Sequence, residues 1–396
     1  MEELSVIIPT YWTWPLDESD RPVIAAFDHP TPLDGESTLP RLLDDLAEQH
    51  FKDFKVVVLT GLRHSDLGQA VADRLSSLIK PYQSRLDFVV CDGLRWSRLK
   101  TAMENEALPT NGLNLGSYSG VRNLQLLIPH ILEAKIIVAL DDDERVEPDY
   151  LERAKARIGQ LIGQKPVLGL AGPYLQEDGS AYLSGQDLSG NVFLDKGYYI
   201  NKAMQMLMNN KGTLTYSPMA LGGNMLFHHD CFSKVPFDPG ITRGEDIDYL
   251  INARLQGIEW WFDAELTILH LPPKHYETPR YQRMREDVIR FVYEREKLRS
   301  YGVNQPIWLD PYPGALLMEN LVEQARLALE NERTSDLAAR YGEPDEIIGQ
   351  ARAHAAFYVP RYQPYVEAWT GLMARIEEDN ALRNKLYKPF KVKNDL

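Results

Sequence analysis

Asp141-Asp142-Asp143-Glu144 places four carboxyl groups in succession, directly after the apolar run Lys135-Ile-Ile-Val-Ala-Leu140. Neighbouring acids repel one another, and burying them without a cation is costly. At the carboxyl end of a buried strand, a divalent cation relieves that repulsion. Asp141 and Asp143 lie two apart and point to the same side of an extended chain. Hard oxygen ligands suit Mg2+ or Mn2+, which keep coordination positions open for substrate phosphates. The alternative is a solvated acidic turn opening the helix that starts near Pro148-Asp149, since acids favour helix N-termini. Taken alone, the segment supports both readings equally.

The elements that must hold these acids alternate along the chain. Residues 5–9, 55–59, 86–90 and 135–140 are short β-branched or apolar runs that predict strands. Residues 38–49, about 66–79 and 119–132 carry apolar residues at helical spacing. This alternation predicts an α/β fold, a mostly parallel sheet with helices on both faces. Ligands on such sheets sit beyond the carboxyl ends of the strands. Residues 11–37 and 94–113 read as long loops leaving those ends. From Arg280 onward, residues 281–299, 315–332 and 346–387 read as helices, and no run reads as a strand. Two domains are expected: an α/β domain over residues 1–279 and an α-helical C-terminal domain over 280–396.

The 396 residues are 44% hydrophobic and 25% charged, ample for a core. Lys and Arg number 43 against 57 Asp and Glu, a net charge of −14. That balance argues against a nucleic-acid surface, which needs clustered cations. It is compatible with one nucleotide held through a metal ion. Cys91 and Cys231 make neither a disulfide framework nor a zinc cluster, and fit a reducing compartment. The N-terminus lacks the basic and apolar regions of a signal peptide. Apolar runs fall far short of the ~20 residues of a spanning helix. A soluble, cytoplasmic protein is expected, without a transmembrane segment. Neither a phosphate-binding P-loop nor a G-x-S-x-G nucleophile elbow is present.

Four segments, in order, carry a resemblance. They are Ser5-Val-Ile-Ile-Pro9-Thr10-Tyr11; Asn114-x-Gly116-x-x-x-Gly120-x-Arg122-Asn123; Leu140 to Asp149 around the triple Asp; and Leu221-Gly-Gly-Asn-Met-Leu-Phe227 followed by Gly244-Glu245-Asp246-Ile-Asp248. Over roughly residues 4–270 the chain resembles the family 2 glycosyltransferases, whose nucleotide-sugar domain has the GT-A fold. The resemblance implies that Asp141 and Asp143 bind metal and sugar nucleotide, with Asp142 beside them and Asp143 the direct ligand. It places Pro9, Thr10 and Tyr11 near the nucleoside, Asn114 and Gly116 in the nucleotide-binding segment, and Arg122 near the pyrophosphate. Arg122 is equally suited to holding the acidic cluster as an ion pair. Asp246, beside Glu245, is implied to be the general base of an inverting enzyme. A carboxylate within hydrogen-bond reach can take the proton of an attacking hydroxyl. The same pair also suits the N-terminus of the helix over residues 247–256. His270, ending the run Leu266 to Leu269, matches the histidine that several GT-A enzymes use as a third metal ligand; a structural histidine is the alternative. His275 is a weaker rival.

The sequence departs from the family in two places. Family members carry Asp-Asp-Gly after the second strand, where an Asp reads the base; here that place reads Leu59-Thr60-Gly61-Leu62, and Asp92 is a substitute. The segment Gln282-x-x-Arg285-Glu286 lacks the Trp of processive membrane members. Trp12 and Trp14, on the first long loop, are candidates for the acceptor side, whereas at least one of Trp260 and Trp261, in an expected strand, reads as core. The expected activity is metal-dependent transfer of a sugar from a nucleoside diphosphate sugar to an acceptor hydroxyl. Mn2+ or Mg2+ is the expected cofactor and a homodimer the expected assembly. The alternatives are a retaining GT-A enzyme acting on a small glycerate-like acceptor, and a nucleotidyltransferase or non-catalytic sugar-nucleotide-binding protein.

Overall fold

The computed structural model describes residues 4–15, 27, 29–185, 188–210, 212–273 and 279–391. Five strands form a parallel block: β1 (Leu4–Thr13), β2 (Thr31–Pro32), β3 (Phe54–Leu62), β4 (Asp87–Cys91) and β5 (Ile136–Ala139). After β5 come β6 (Glu144–Arg145), then β7 (Leu161–Ile162) and β8 (Lys165–Pro166), which pair with each other. The remaining strands are β9 (Gly169–Ala171), β10 (Tyr174–Leu175), β11 (Thr215–Tyr216), β12 (Met225–His228), β13 (Trp260–Phe262) and β14 (Ile268–His270). The nine-stranded main sheet runs β11-β13-β9-β12-β5-β1-β3-β4, with β2 on the end of β1. Within it β12 is antiparallel to β5 and β9. A second sheet, β10-β14-β6, sits at the β5 end.

Strands buried on both faces read as continuous apolar runs, and Val56, Val57 and Val58 of β3 are all fully buried. At roughly 25 cal/mol per Å² of apolar surface, each such side chain contributes about 1.5–3 kcal/mol. On one face lie α1 (Leu39–Ala47), α2 (Gly68–Ile79) and α5 (Tyr150–Arg157), whose Leu42, Leu46, Leu75 and Leu151 share a core with Val6 and Val58. On the other lie α3 (Gly93–Asn105), α4 (Tyr118–Ile131), α6 (Lys196–Met208), the single turn α7 (His229–Phe232) and α8 (Glu245–Leu255). The α/β layering expected of a GT-A domain, followed by a helical region, is therefore observed.

The C-terminal helices are α9 (Arg280–Ser300), α10 (Leu321–Glu332), α11 (Ser335–Tyr341), α12 (Pro344–Glu378) and α13 (Asn380–Tyr387). Val288, Trp369 and Ile376 join the same core as Ile128 of α4. The Trp369 indole donates to the Phe232 carbonyl at 2.9 Å. The stripe Leu316, Leu317, Leu321, Ala325 and Leu329 is wholly buried within the chain. Among the described residues no helix is long and apolar enough to cross a membrane.

Two loop expectations change. Much of 94–113 is α3, whose N-terminus is capped by Asp92 accepting the Arg95 N–H at 2.8 Å. Its buried face consists of Arg95, Leu99 and Met103, too sparse and too charged to show a helical stripe. In 11–37, β1 continues to Thr13 and β2 pairs beside it; residues 16–26 and 28 lie outside the described residues.

Candidate functional site

The parallel strands deliver their carboxyl ends to one edge, and the acidic turn leaves β5 there. The Leu140 N–H donates to the Ile7 carbonyl at 3.0 Å, holding the chain against β1 up to the first aspartate. The turn then closes on itself: Glu144 Oε2 accepts the Asp141 N–H at 2.9 Å. Glu144 opens β6, whose register partner in β14 is His270. The Leu271 N–H donates to the Asp143 carbonyl at 2.9 Å. The small sheet thus brings His270 Nε2 to 3.5 Å from Asp143 Oδ2.

Asp143 and Glu144 are buried, and Asp141 and Asp142 are half-buried. Asp141 is pushed above the usual carboxylate range by desolvation, with the Arg122 charge opposing and Asp143 reinforcing. Asp142 and Glu144 are pushed well above it, by burial first and neighbouring carboxylates second. Asp142 Oδ2 and Glu144 Oε1 are buried without a hydrogen-bond partner. Among the described residues no three His, Cys, Asp or Glu side chains form a ready-made metal cage. What the turn offers is a carboxylate and an imidazole side by side, with orphaned carboxylate oxygens next to them.

Arg122 ties this turn to a second acidic element. Ser117 caps α4 by accepting the Gly120 N–H at 3.1 Å, and Arg122 is the fifth residue of that buried helix. Its Nη2 donates to Asp141 Oδ1 and Oδ2 at 3.0 and 3.4 Å. Its Nε donates to Glu245 Oε1 at 3.2 Å, and Nη1 to Gln125 at 3.1 Å. One guanidinium therefore spans from the end of β5 to the start of α8. The Glu245 carboxyl is raised to about 7 by burial, with Arg122 opposing and Asp246 adding. Asp246 is half-buried. Its Oδ2 accepts the Gly222 N–H at 3.1 Å and its Oδ1 the Ile247 N–H at 2.8 Å.

The glycines of these motifs make room for the site. A Cβ at Gly222 would lie 2.7 Å from Arg122 Nη2, and one at Gly223 would overlap the Glu144 carboxylate. Gly244 has φ +73°, a left-handed conformation that leads into α8, and the Arg290 guanidinium fills the space where its side chain would be. At Gly120, where the family pattern has Ala, a Cβ would lie 2.5 Å from Asn114 Nδ2.

Of the expected site residues, the structure brings Tyr11, Arg122, Asp141, Asp142, Asp143, Glu245, Asp246 and His270 around one cavity of about 320 Å³. Others lie elsewhere. The Thr10 hydroxyl donates to the Leu59 carbonyl at 3.0 Å and accepts from the Trp12 indole at 2.8 Å, and Pro9 is buried in β1. Asp92 is consumed by the α3 cap and an ion pair with Arg95. Asn114 and Gly116 line a separate cleft beside Gly93; the Asn114 Oδ1 accepts the Gly116 N–H at 2.9 Å and the Ser117 hydroxyl at 3.0 Å, shaping the turn before α4. Trp12 is fully buried, and Trp14 donates to Asp66 at 2.9 Å. Neither tryptophan lines the cavity. His275 lies outside the described residues.

Several cavity residues carry no motif. Tyr118 packs edge-on to Tyr11, ring centroids 5.2 Å apart, and Phe27 joins both. Lys196, Arg243, Asp287, Arg290 and Tyr312 form another part of the lining. Asp287 and Arg290 belong to α9, and Tyr312 follows it, beyond the reach of the family resemblance.

No family model matches the chain, and no curated protein matches it. Solved structures resemble it weakly. Staphylococcus aureus TarS is 14% identical with a TM-score of 0.38, over 94% of this chain and 55% of that one. The chain thus spans about half the length of that protein. Residues 1–349 of TarS in complex with UDP give 16% identity and a TM-score of 0.37, over 95% and 91% of the two chains. The mannosyltransferase PcManGT from Pyrobaculum calidifontis, in complex with GDP-Man and Mn2+, gives 15% and 0.43, over 96% and 87%. Likeness of this strength assigns neither activity nor ligand to this chain.

Proposed function

We propose that this protein is a divalent-cation-dependent glycosyltransferase that moves a sugar from a nucleoside diphosphate sugar to an acceptor hydroxyl with inversion. The observation that carries the reading is the meeting, in one cavity, of the Asp143–His270 pair and Asp246, linked through Arg122 by Asp141 and Glu245. Asp143 and His270 have the spacing of two ligands on one ion and leave its other positions open, as a cation shared with donor phosphates requires. A carboxylate with an imidazole favours Mn2+ over Mg2+. When bound, the cation offsets charge developing on the diphosphate leaving group.

The chain's own residues supply the rest. Arg122 partly compensates Asp141 and Glu245, fixing the distance between donor side and acceptor side. The Gly222 N–H and the backbone N–H of Ile247 at the α8 N-terminus orient the Asp246 carboxyl group. That carboxylate accepts the proton of the attacking hydroxyl. With Asp92 committed to Arg95, base recognition falls to Tyr11 and Tyr118, whose side chains line the cavity.

The test is a thermal-shift series of UDP, GDP, ADP and CDP with and without Mn2+. Ligand binding raises stability by mass action, so one diphosphate should raise Tm in wild type only when Mn2+ is present. Asp143→Ala should lose that Mn2+-dependent increment. Absence of any Mn2+-dependent shift sinks the proposal.

A further inference from the structure

Four charged residues of α9, Asp287, Arg290, Glu294 and Lys297, recur at intervals of three and four and so share one face of that helix. All four are buried. A buried ionic face seldom stabilises a fold beyond what apolar packing of the same volume would do, so the question is what this face positions. Two of the four reach α8. The Arg290 guanidinium packs against Gly244, the left-handed residue that starts the helix, and its Nη2 donates to the Tyr312 hydroxyl at 3.2 Å. Asp287 and Glu294 flank it at 3.8 and 3.7 Å. Lys297 Nζ donates to Asp248 Oδ1 at 2.5 Å and to Asp238 Oδ2 at 2.8 Å. Gly244 and Asp248 are the two ends of one turn, in which the Asp248 N–H donates to the Gly244 carbonyl at 3.2 Å. Between them stand Glu245 and Asp246.

The α/β layers hold the middle of this turn, through Arg122 on Glu245 at 3.2 Å and the Gly222 N–H on Asp246 at 3.1 Å. Helix α9 takes hold of its two ends. Resting on the glycosyltransferase reading, we propose that Arg290 and Lys297 are positioning residues for Asp246: they fix the turn from Gly244 to Asp248, so that the helical C-terminal region sets how the base meets the acceptor hydroxyl. Neither needs to touch that hydroxyl or its proton. A misplacement of about 1 Å in a reacting group costs up to ~10²-fold in rate. Loosening the turn should therefore show in turnover before it shows in donor binding, since Asp143 and His270 are held by other elements. Gly244 belongs to the same arrangement, because a side chain there would meet both the positive φ and the guanidinium.

Arg290→Lys in the full chain keeps a charge beside Asp287 and Glu294 but gives up the planar fork that meets both Gly244 and Tyr312. Its kcat should fall about ten- to a hundredfold, with donor KM and the Mn2+-dependent Tm increment unchanged. In an Asp246→Asn background the same substitution should cost nothing further, because residues that act as a unit are not additive. Hydrogen exchange read by mass spectrometry should quicken over residues 245–251 and stay unchanged over residues 136–142. Arg299→Gln, which removes an exposed cation from the same helix, should alter none of these. Tyr312→Phe deletes one partner of the guanidinium; it should give the same pattern at smaller amplitude, and it decides the matter if Arg290→Lys does not fold. An unchanged kcat against an active wild type, or unchanged exchange over residues 245–251, overturns the proposal. So does a loss that multiplies with that of Asp246→Asn, which would make Arg290 act independently of the base. If exchange quickens as expected while wild type transfers sugar from no donor, the transferase reading falls and the grip of α9 on the turn stands.

Discussion

Asp246 and Asp143 are neighbours in one cavity with separable jobs, and substitution should separate them. Asp246→Asn keeps the shape of the side chain but removes the basic carboxylate and leaves one acceptor oxygen for the two backbone N–H groups. It is expected to lower kcat by roughly 10²–10⁴-fold with donor KM nearly unchanged. The product anomer, read by NMR, should be inverted relative to the donor; a retained anomer contradicts the base assignment. The acids themselves were plain in the sequence, because carboxylates after an apolar run are conspicuous. Their division of labour was not. That Asp141 answers to Arg122 while Asp143 faces His270 depends on pairing between β6 and β14, two- and three-residue strands too short for any periodicity. Asp92 was misleading for a related reason. Its position after β4 suits ligand binding, but its cap and its Arg95 pair are set by α3, which has almost no apolar stripe.

Helices and strands in the first two-thirds followed their hydrophobic spacing, and the exceptions are local. Gly120 is one. The family pattern offers Ala there, yet Asn114 occupies the space, so Gly120→Ala is expected to destabilise by about 1–3 kcal/mol through overpacking. Chemical denaturation measures this, and an unchanged midpoint would show that Asn114 yields freely. A second case is α9, whose buried ionic groups reach into the α/β layers. Lys297 binds Asp238 at 2.8 Å and Asp248 at 2.5 Å, and Tyr293 donates to Asp238 at 2.5 Å. Beside them Glu294 is raised to about 8, chiefly by burial. Between its unfolded value near 4.5 and that pH, the folded chain holds a proton the unfolded chain releases. Stability from this group is therefore full below about 4.5 and lost as pH rises through 8. Glu245, raised to about 7, and Asp248, raised to about 6, act in the same direction. Glu294→Gln should flatten the fall of Tm between pH 6 and 9 and raise Tm at pH 9. An equal fall in the variant would remove Glu294 from the account.

For the whole molecule, the sequence foretold a helical C-terminal third but not its place in the cavity. Asp287, Arg290 and Tyr312 sit in ordinary amphipathic or proline-rich context, and nothing in their spacing marks them as lining a site. Helices α9 and α12 bury Val288, Trp369 and Ile376 in the same core as α4, so removing them would uncover a large apolar face. A chain ending after Lys274 is expected to aggregate or to lose its sharp unfolding transition. Recovery of a monodisperse, cooperatively folding fragment would contradict that dependence. The buried stripe from Leu316 to Leu329 is used internally and is not available to a second copy.

Release of nucleoside diphosphate from a panel of UDP- and GDP-sugars tests the central claim most directly, with a panel of hydroxylated acceptors and Mn2+ added or removed by chelation. The account predicts release with one donor, coupled to a glycosylated product. It should be abolished by chelation, restored by Mn2+, and absent in Asp143→Ala. Release at the same rate without metal, or no release from any donor in the panel, would contradict it.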